Sequence, residues 1–329
     1  MFYFINYLRA IATVLITNSH YSNIWPSSSL AVGGLLGNVL FFAASGFCLF
    51  NIKENFGQWY IKRALRVLPV MLLFTLFTVL IGQYSLNSGA DAVRLFLFPT
   101  NYIFLVWLLI LYVPFYFVAK FSKKWEKCIE IGGGVLLIVW ITVYLLFVDK
   151  SVYHIDDVSK PFILFLYFSS MLLGGLFRKY QDAYKQLKWW NVVLLFVSLV
   201  VYFGTKILFS KMESVAFLQI INQLSILAAL YFVFAVFIGL EEKLAKIPAW
   251  INETVKFISN VTLQIYIVQF VIIRALENLA FPLNFLATTA AILAAASLVY
   301  LVEYFIRKGI GKLTKKGKES EKNDAKSSN

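Results

Sequence analysis

Two ionisable side chains, Arg9 and His20, lie inside the first hydrophobic segment of the chain, RAIATVLITNSH. They are 11 residues apart, which in an α-helix is three turns plus about 20°, so they share one face at roughly 16 Å along the axis. Thr13 and Ile16 fall on the same stripe. A histidine can act as a general base near neutral pH. Because ionisable groups inside a membrane helix are expensive, the pair predicts a functional site.

Each of the two residues also has a structural explanation. Arg9 is only eight residues from the N-terminus and could extend its charged head to the membrane interface. His20 could lie at the opposite edge of the membrane and be hydrogen-bonded to water. The presence of both on one face, with an arginine pair further along the chain, favours the functional interpretation.

That arginine pair lies in the basic segment KRALRVLP, residues 62–69. Arg63 and Arg66 are spaced i,i+3 and therefore share a helix face. Two guanidinium groups on one face form a fork suited to phosphate. Basic residues at the cytoplasmic surface of a membrane protein also follow from topology alone, so the residues by themselves leave both explanations open.

A third candidate group consists of amide side chains. Gln219, Asn222 and Gln223 share one face of a predicted helix, and Gln269 lies in the next one. Such amides predict either hydrogen bonds between helices or a cavity for a sugar, whose hydroxyl groups need amide partners. The glycines at 132–134 and 174–175 predict close packing of helices.

The elements that position these residues are membrane helices. The chain has 329 residues, of which 60% are hydrophobic and 14% charged, whereas soluble domains average about 25% charged residues. Apolar runs long enough to cross a bilayer recur along the chain. We therefore predict an all-α polytopic membrane protein with about ten transmembrane helices, approximately Ile5–Ile24, Leu30–Phe50, Val67–Gln83, Leu95–Ala119, Ile131–Val148, Phe162–Phe177, Trp190–Phe209, Val215–Leu240, Val255–Leu276 and Phe285–Ile306.

The net charge of +13 has an explanation in topology rather than in nucleic-acid binding. Basic residues are concentrated in the connections after the second, fourth, sixth and eighth predicted helices and in the C-terminal tail. By the positive-inside rule both termini are cytoplasmic. Arg9, Arg63 and Arg66 then lie near the inner surface of the membrane, and His20 lies in the outer part of its helix.

Residues 1–309 are predicted to form the transmembrane domain, followed by a basic cytoplasmic tail at 310–329. The tail is polar and highly charged, so we expect it to be disordered. Cys48 and Cys128 have neither disulfide nor metal-ligand spacing, and the chain has only two histidines. We expect no metal site.

The opening third of the chain resembles the acyltransferase-3 family of integral membrane acyltransferases. Three segments carry the resemblance: RAIATVLITNSH, GNVLFFAASGF and KRALRVLP. The matching positions are Arg9, His20, Phe41, Phe42, Ser45, Gly46, Phe47, Arg63, Arg66 and Pro69. A weaker similarity covers the segments around Trp107 and after Phe257, where Gln269 stands in the place of a histidine that is typical of the family.

The resemblance implies transfer of an acyl group, usually acetyl, from cytoplasmic acyl-CoA to a hydroxyl of an extracytoplasmic acceptor. Arg63, Arg66 and Arg9 would bind the phosphates of acetyl-CoA, and His20 with Arg9 would form the catalytic pair. Gln219, Asn222, Gln223 and Gln269 would bind the acceptor, a cell-envelope glycan or its lipid-linked precursor. The location would be the inner (cytoplasmic) membrane. A separate extracytoplasmic transferase is a further expected partner.

Three questions stay open at this point. His20 could act as a base in direct transfer or could carry the acyl group itself. The same polar stripe could belong to a glycolipid transporter or flippase, for which broken helices at matching positions of internal repeats would be the indication. A structural membrane subunit of a glycan-export complex would not need Arg9 and His20.

Overall fold

The helices form because long apolar runs alternate with short polar connections. The computed structural model describes residues 2–96 and 102–327, with side chains up to residue 305 and at 308, and within these ranges it contains helices and no strands. The helices are α1 (Tyr3–Ser19), α2 (Gly34–Leu49), α3 (Phe56–Leu80), α4 (Gly89–Phe96), α5 (Ile103–Phe121), α6 (Cys128–Phe147), α7 (Ile163–Lys179), α8 (Trp189–Lys211), α9 (Ile220–Gly239), α10 (Glu241–Ala245), α11 (Ala249–Asn260), α12 (Thr262–Leu276) and α13 (Leu283–Ser327). The all-α prediction is confirmed.

The number of predicted membrane spans is not confirmed. Seven helices of the described residues are long and apolar enough to cross a membrane, and the bent pair α11 and α12 makes an eighth. The other two predicted spans correspond to α1 and α7, which have 17 residues each. A helix of 17 residues is about 25 Å long, which is the lower limit for a transmembrane helix. The cytoplasmic placement of both termini stays a prediction, and "inner" and "outer" below follow it.

The third helix begins earlier than the sequence predicts. It starts at Phe56 rather than Val67, because the Asn55 side chain accepts a hydrogen bond from the backbone N–H of Gln58 at 3.0 Å and caps the helix. The segment with Arg63 and Arg66 is therefore helical, and the two residues share a face as their spacing predicts. Pro69 lies inside the same helix.

The predicted helix over 255–276 is broken. α11 and α12 meet at Val261 with a bend of 69°. The Thr262 hydroxyl donates a hydrogen bond to the Ser259 carbonyl at 3.0 Å. Such bonds from side chains to the backbone compete with the regular hydrogen bonds of a helix. The bend lets α12 begin deep in the bundle, beside the middle of α1.

Glycines account for the closest helix contact. At the crossing of α2 and α7, a Cβ on Gly46 would overlap the Met171 carbonyl, and one on Gly174 would overlap the Ala43 carbonyl. The packing predicted for 174–175 is confirmed. The packing predicted for 132–134 is wrong, because a Cβ added there would meet at most one described side-chain atom, at ordinary van der Waals distance.

The final helix runs continuously from Leu283 to Ser327. Its first part packs against α12. The division of the chain at residue 309 and a disordered tail at 310–329 stay predictions.

Candidate active site

α1 and α12 run side by side and form the seam on which the candidate residues lie. The Thr13 hydroxyl is hydrogen-bonded to the Thr262 hydroxyl at 2.9 Å, and both residues are buried. Further along, the His20 ring packs against the Phe270 ring. From Thr13 to His20 is seven residues and from Thr262 to Phe270 is eight, rises of about 10.5 and 12 Å. The two helices are therefore parallel in direction.

His20 ends α1 as its C-terminal cap residue and is half-buried. Its ring centroid lies 4.6 Å from that of Phe270, at an interplanar angle of 66°. No hydrogen bond orients the ring among the residues that the structure describes. Both ring nitrogens are thus available to an incoming hydroxyl or acyl group.

The loop after His20 is fixed by Asn18, a residue that the sequence analysis did not select. The Asn18 amide nitrogen donates to the carbonyls of Leu30 and Val32 at 2.9 and 3.0 Å, and its oxygen accepts from Trp25 Nε1 at 2.9 Å. These bonds hold the end of α1 against the returning chain. A polar residue two positions before His20 in an apolar segment was the available signal.

At the inner end the structure brings three arginines together. Arg9 of α1 and Arg63 of α3 each interact repulsively with Arg66. None of the three forms an ion pair with a carboxylate of the described residues. Arg63 lies over the Trp59 ring at 5.7 Å, and its buried Nε has no hydrogen-bond partner in the described part of the chain. Guanidinium groups that cluster without a direct ion pair form a candidate site for an anion.

One carboxylate near the arginines is already engaged. Glu54 lies in the loop between α2 and α3 and pairs with Lys62 at 3.0 Å. The hydrogen bond from Lys62 holds the pKa of this carboxyl below its usual value. Glu54 therefore stays ionised near neutral pH. It pairs directly with Lys62 and also attracts Arg63 at longer range.

A groove of about 780 Å³ leads outward from the arginine pair, between α3 and α13. Lys62, Arg63, Arg66 and Glu303 lie at its inner end. The Glu303 carboxylate accepts a hydrogen bond from Gln264 Nε2 at 2.6 Å. Its apolar walls are formed by Leu65, Pro69, Val70, Leu73, Phe74, Phe77, Val268, Ala295, Leu298, Val299 and Val302. From Arg66 to Phe77 is 11 residues, or about 16 Å along α3. This is the same rise as from Arg9 to His20.

Gln269 of α12 is buried in the same seam. It has no exposed surface, and neither its side-chain nitrogen Nε2 nor its side-chain oxygen Oε1 has a hydrogen-bond partner among the described residues. It lines a narrow cavity with Thr13, Thr262 and Tyr266, too small for a sugar. An unpaired buried amide costs about 1–3 kcal/mol, and Gln269 is therefore a candidate contact for a small polar group such as a carbonyl.

The other three amides lie elsewhere, on α9 and at its start. The Gln219 oxygen accepts from the backbone N–H groups of His154 and Ile155, at 2.9 and 3.0 Å. Asn222 donates to the Tyr202 carbonyl at 2.8 Å, and Gln223 donates to the Ile155 carbonyl. The bonds of Gln219 and Gln223 hold the loop over 149–155 against the bundle, and the bond of Asn222 joins α9 to α8. A substrate contact by these three residues stays a prediction.

Comparison with known proteins gives one match. Residues 2–304 match the family model described as an acyltransferase domain, of the acyltransferase-3 family. No protein of curated function and no solved structure matched the chain. The match includes every residue of the seam, the arginine cluster and the groove. This chain is a multi-pass membrane protein that belongs to the acyltransferase-3 family.

Proposed function

We propose that this protein is an O-acyltransferase that moves an acyl group, in the first place acetyl, from cytoplasmic acetyl-CoA to a hydroxyl of an extracytoplasmic glycan. The observation that carries the proposal is the seam itself. At its inner end Arg9 of α1 lies near Arg63 and Arg66 of α3, and none of the three forms an ion pair with a carboxylate of the described residues. At its outer end lies His20, whose ring makes no hydrogen bond to the described residues.

The arginine cluster suits the donor. Coenzyme A carries phosphates, and guanidinium groups bind phosphate oxygens with two parallel hydrogen bonds. The groove volume of about 780 Å³ falls within the ~300–1,000 Å³ usual for organic ligands. With the phosphates at Arg63 and Arg66, the pantetheine arm extends along the groove towards the level of Phe77, and the thioester faces the outer part of the seam.

The proposed reaction transfers the acyl group from the CoA sulfur to the acceptor oxygen. The acceptor hydroxyl gives its proton to a His20 ring nitrogen as its oxygen attacks the thioester carbonyl. A C–O bond forms, the C–S bond breaks, and the CoA sulfur leaves as the thiolate and regains a proton. In a second form of the reaction His20 first accepts the acyl group and then passes it on. Gln269 would stabilise the carbonyl oxygen as charge develops on it.

The acceptor is proposed to be a cell-envelope glycan or its lipid-linked precursor, with the protein in the cytoplasmic membrane. Acyl transfer could end on this acceptor or on a separate extracytoplasmic transferase. Both routes require His20.

A glycolipid flippase is the second candidate, and the bend between α11 and α12 is the observation that favours it. Transporters use broken helices in pairs, at corresponding positions of two repeats. The described residues contain one such bent pair. The same bend also has a role in the first proposal, since it brings Thr262 to Thr13.

The deciding experiment measures acetyl groups on the surface glycan by NMR in a deletion strain. The strain is complemented with wild type, with His20→Ala, or with His154→Ala as a control. His154 is the other histidine of the chain, and its partly exposed ring is hydrogen-bonded to the Val152 carbonyl in a loop. We expect wild type and His154→Ala to restore acetylation and His20→Ala to be inserted but inactive. Restoration by His20→Ala would contradict the mechanism, and a loss of glycan export with unchanged acetylation would favour the flippase.

A further inference from the structure

A second, smaller pocket lies at the outer end of the bundle between α3 and α12. It has a volume of about 200 Å³. Its walls are formed by Thr78, Gln83, Tyr84, Tyr102, Phe270 and Arg274, together with Ile267 and Val271, and we refer to it as the outer pocket. It is smaller than the ~300–1,000 Å³ of sites for drug-sized ligands, and its size suits a single sugar residue.

The outer pocket is adjacent to the candidate base. Phe270 lines the pocket and also packs against the His20 ring at 4.6 Å between centroids. Phe77, at the end of the inner groove, is followed directly in α3 by Thr78 of the outer pocket. The groove and the outer pocket therefore reach the same level of α3, on neighbouring faces of the helix, and the outer pocket is the one that borders His20 through Phe270.

Arg274 gives the outer pocket a positive charge that topology does not explain. The positive-inside rule places few basic residues on the outer side, and Arg274 is one of them. Lys206, another, is neutralised by Asp156 at 2.7 Å. Arg274 forms no ion pair with a carboxylate of the described residues. Its place in the last turn of α12 favours a cation, but any cation there would serve that purpose.

Gln83 supplies a second, independent indication of a ligand. Its buried side-chain oxygen has no hydrogen-bond partner among the described residues. This oxygen can only accept a hydrogen bond, as from a sugar hydroxyl. Aromatic walls with a few polar groups are typical of binding pockets for small organic molecules, and here Tyr84, Tyr102 and Phe270 provide the walls.

We propose that the outer pocket binds one sugar residue of the acceptor that carries an anionic group, a carboxylate or a phosphate. Arg274 pairs with the anion, Gln83 accepts a hydrogen bond from a hydroxyl, and the sugar is held beside His20. This inference rests on the proposed function, because it identifies the acceptor class of the same site.

The test measures binding without the donor, using the full-length protein in lipid nanodiscs. The probes are methyl glucuronide, glucose 6-phosphate and the neutral methyl glucoside, each titrated calorimetrically. A charge-assisted hydrogen bond corresponds to roughly a tenfold or larger difference in affinity. We expect one or both anionic probes to bind at least about tenfold more tightly than the neutral one. The tighter of the two anionic probes identifies the anion as carboxylate or phosphate.

Variants assign the preference to Arg274. Arg274→Gln should abolish the preference, Arg274→Lys should keep part of it, and Lys211→Gln, an exposed outer lysine at the end of α8, should keep all of it. Retained binding of coenzyme A by Arg274→Gln shows that this variant is folded. Equal affinity for all probes, no binding of any probe, or a preference that survives Arg274→Gln would overturn the inference. Acetylation that depends on His20 would stand in each of those cases, so the two proposals fail separately.

Discussion

Neutralising Arg66 should have opposite effects on donor binding and on the stability of the empty protein. Arg66 interacts repulsively with both Arg9 and Arg63, and it forms no ion pair with a carboxylate of the described residues. Arg66→Gln removes this repulsion. The protein without ligand should therefore be as stable as wild type or slightly more stable. An arginine that only stabilises the fold would give the opposite result.

The effect on donor binding follows from the phosphates. A hydrogen bond between charged partners contributes about 1.5–3 kcal/mol, and about 1.4 kcal/mol corresponds to a tenfold change in affinity. Arg66→Gln should therefore weaken coenzyme A binding by about 10- to 100-fold. The affinity of Arg66→Lys for coenzyme A should lie between those of wild type and Arg66→Gln, because a lysine keeps the charge but not the two parallel hydrogen bonds.

The assay compares two ligands in nanodiscs. Coenzyme A carries the phosphates, whereas pantetheine contains the same arm and thiol without them. Arg66→Gln should lose affinity for coenzyme A and bind pantetheine as wild type does. The control is Lys124→Gln, a substitution of an exposed lysine in the predicted cytoplasmic loop between α5 and α6, which should change neither. Thermal unfolding of the same samples without ligand gives the stability comparison.

Two results would refute this reasoning. If Arg66→Gln binds coenzyme A as tightly as wild type, then Arg66 does not contact a phosphate. If the variant loses affinity for coenzyme A and pantetheine equally and also unfolds at a lower temperature, then Arg66 is structural. The phosphates would in that case have to bind elsewhere.

Two further predictions concern packing and buried polar groups. Gln269→Leu should raise the free energy of unfolding by about 1–3 kcal/mol, since it removes an unpaired buried amide, while it lowers the rate of acyl transfer. Gln219→Leu should instead lower the free energy of unfolding, because the Gln219 amide is hydrogen-bonded to the 149–155 loop. Denaturant titration and an acetylation assay measure both variants. Gly174→Ala should destabilise the protein by about 1–3 kcal/mol or more, because the added Cβ would overlap the Ala43 carbonyl. Gly133→Ala should leave the thermal unfolding temperature unchanged or raise it, since it adds a Cβ in open space within a helix.

The sequence was sufficient to identify features that depend on helical periodicity alone. Arg9, Thr13, Ile16 and His20 were predicted to share a face from their spacing. In the structure, the seam with α12 includes Thr13, Ile16 and His20. Periodicity is a local property that follows from 3.6 residues per turn. The family resemblance of the opening third was confirmed over residues 2–304.

Features that depend on tertiary contacts could not be predicted from the sequence. The bond between Thr13 and Thr262 joins residues 249 positions apart, and no local pattern indicates it. The break at Val261 lies next to that contact, in the segment SNVT, whose residues have a weak helix preference. The amides of Gln219 and Gln223 looked like sugar ligands because their backbone partners lie in a loop about 65–70 residues away. The backbone partner of Asn222 is Tyr202 in the preceding helix.

The short length of α1 bears directly on how a membrane-spanning transfer can be organised. α1 has 17 residues and His20 lies at its end, so the base is about 25 Å or less from the inner end of the helix. The inner groove already extends about 16 Å from Arg66 to Phe77. A donor bound in this groove therefore has to carry its acyl group only a short way further to the level of His20. A span of about 20 residues at this position would lengthen the path by about 4.5 Å, and we infer that the short helix helps to place one base within reach of ligands from both sides.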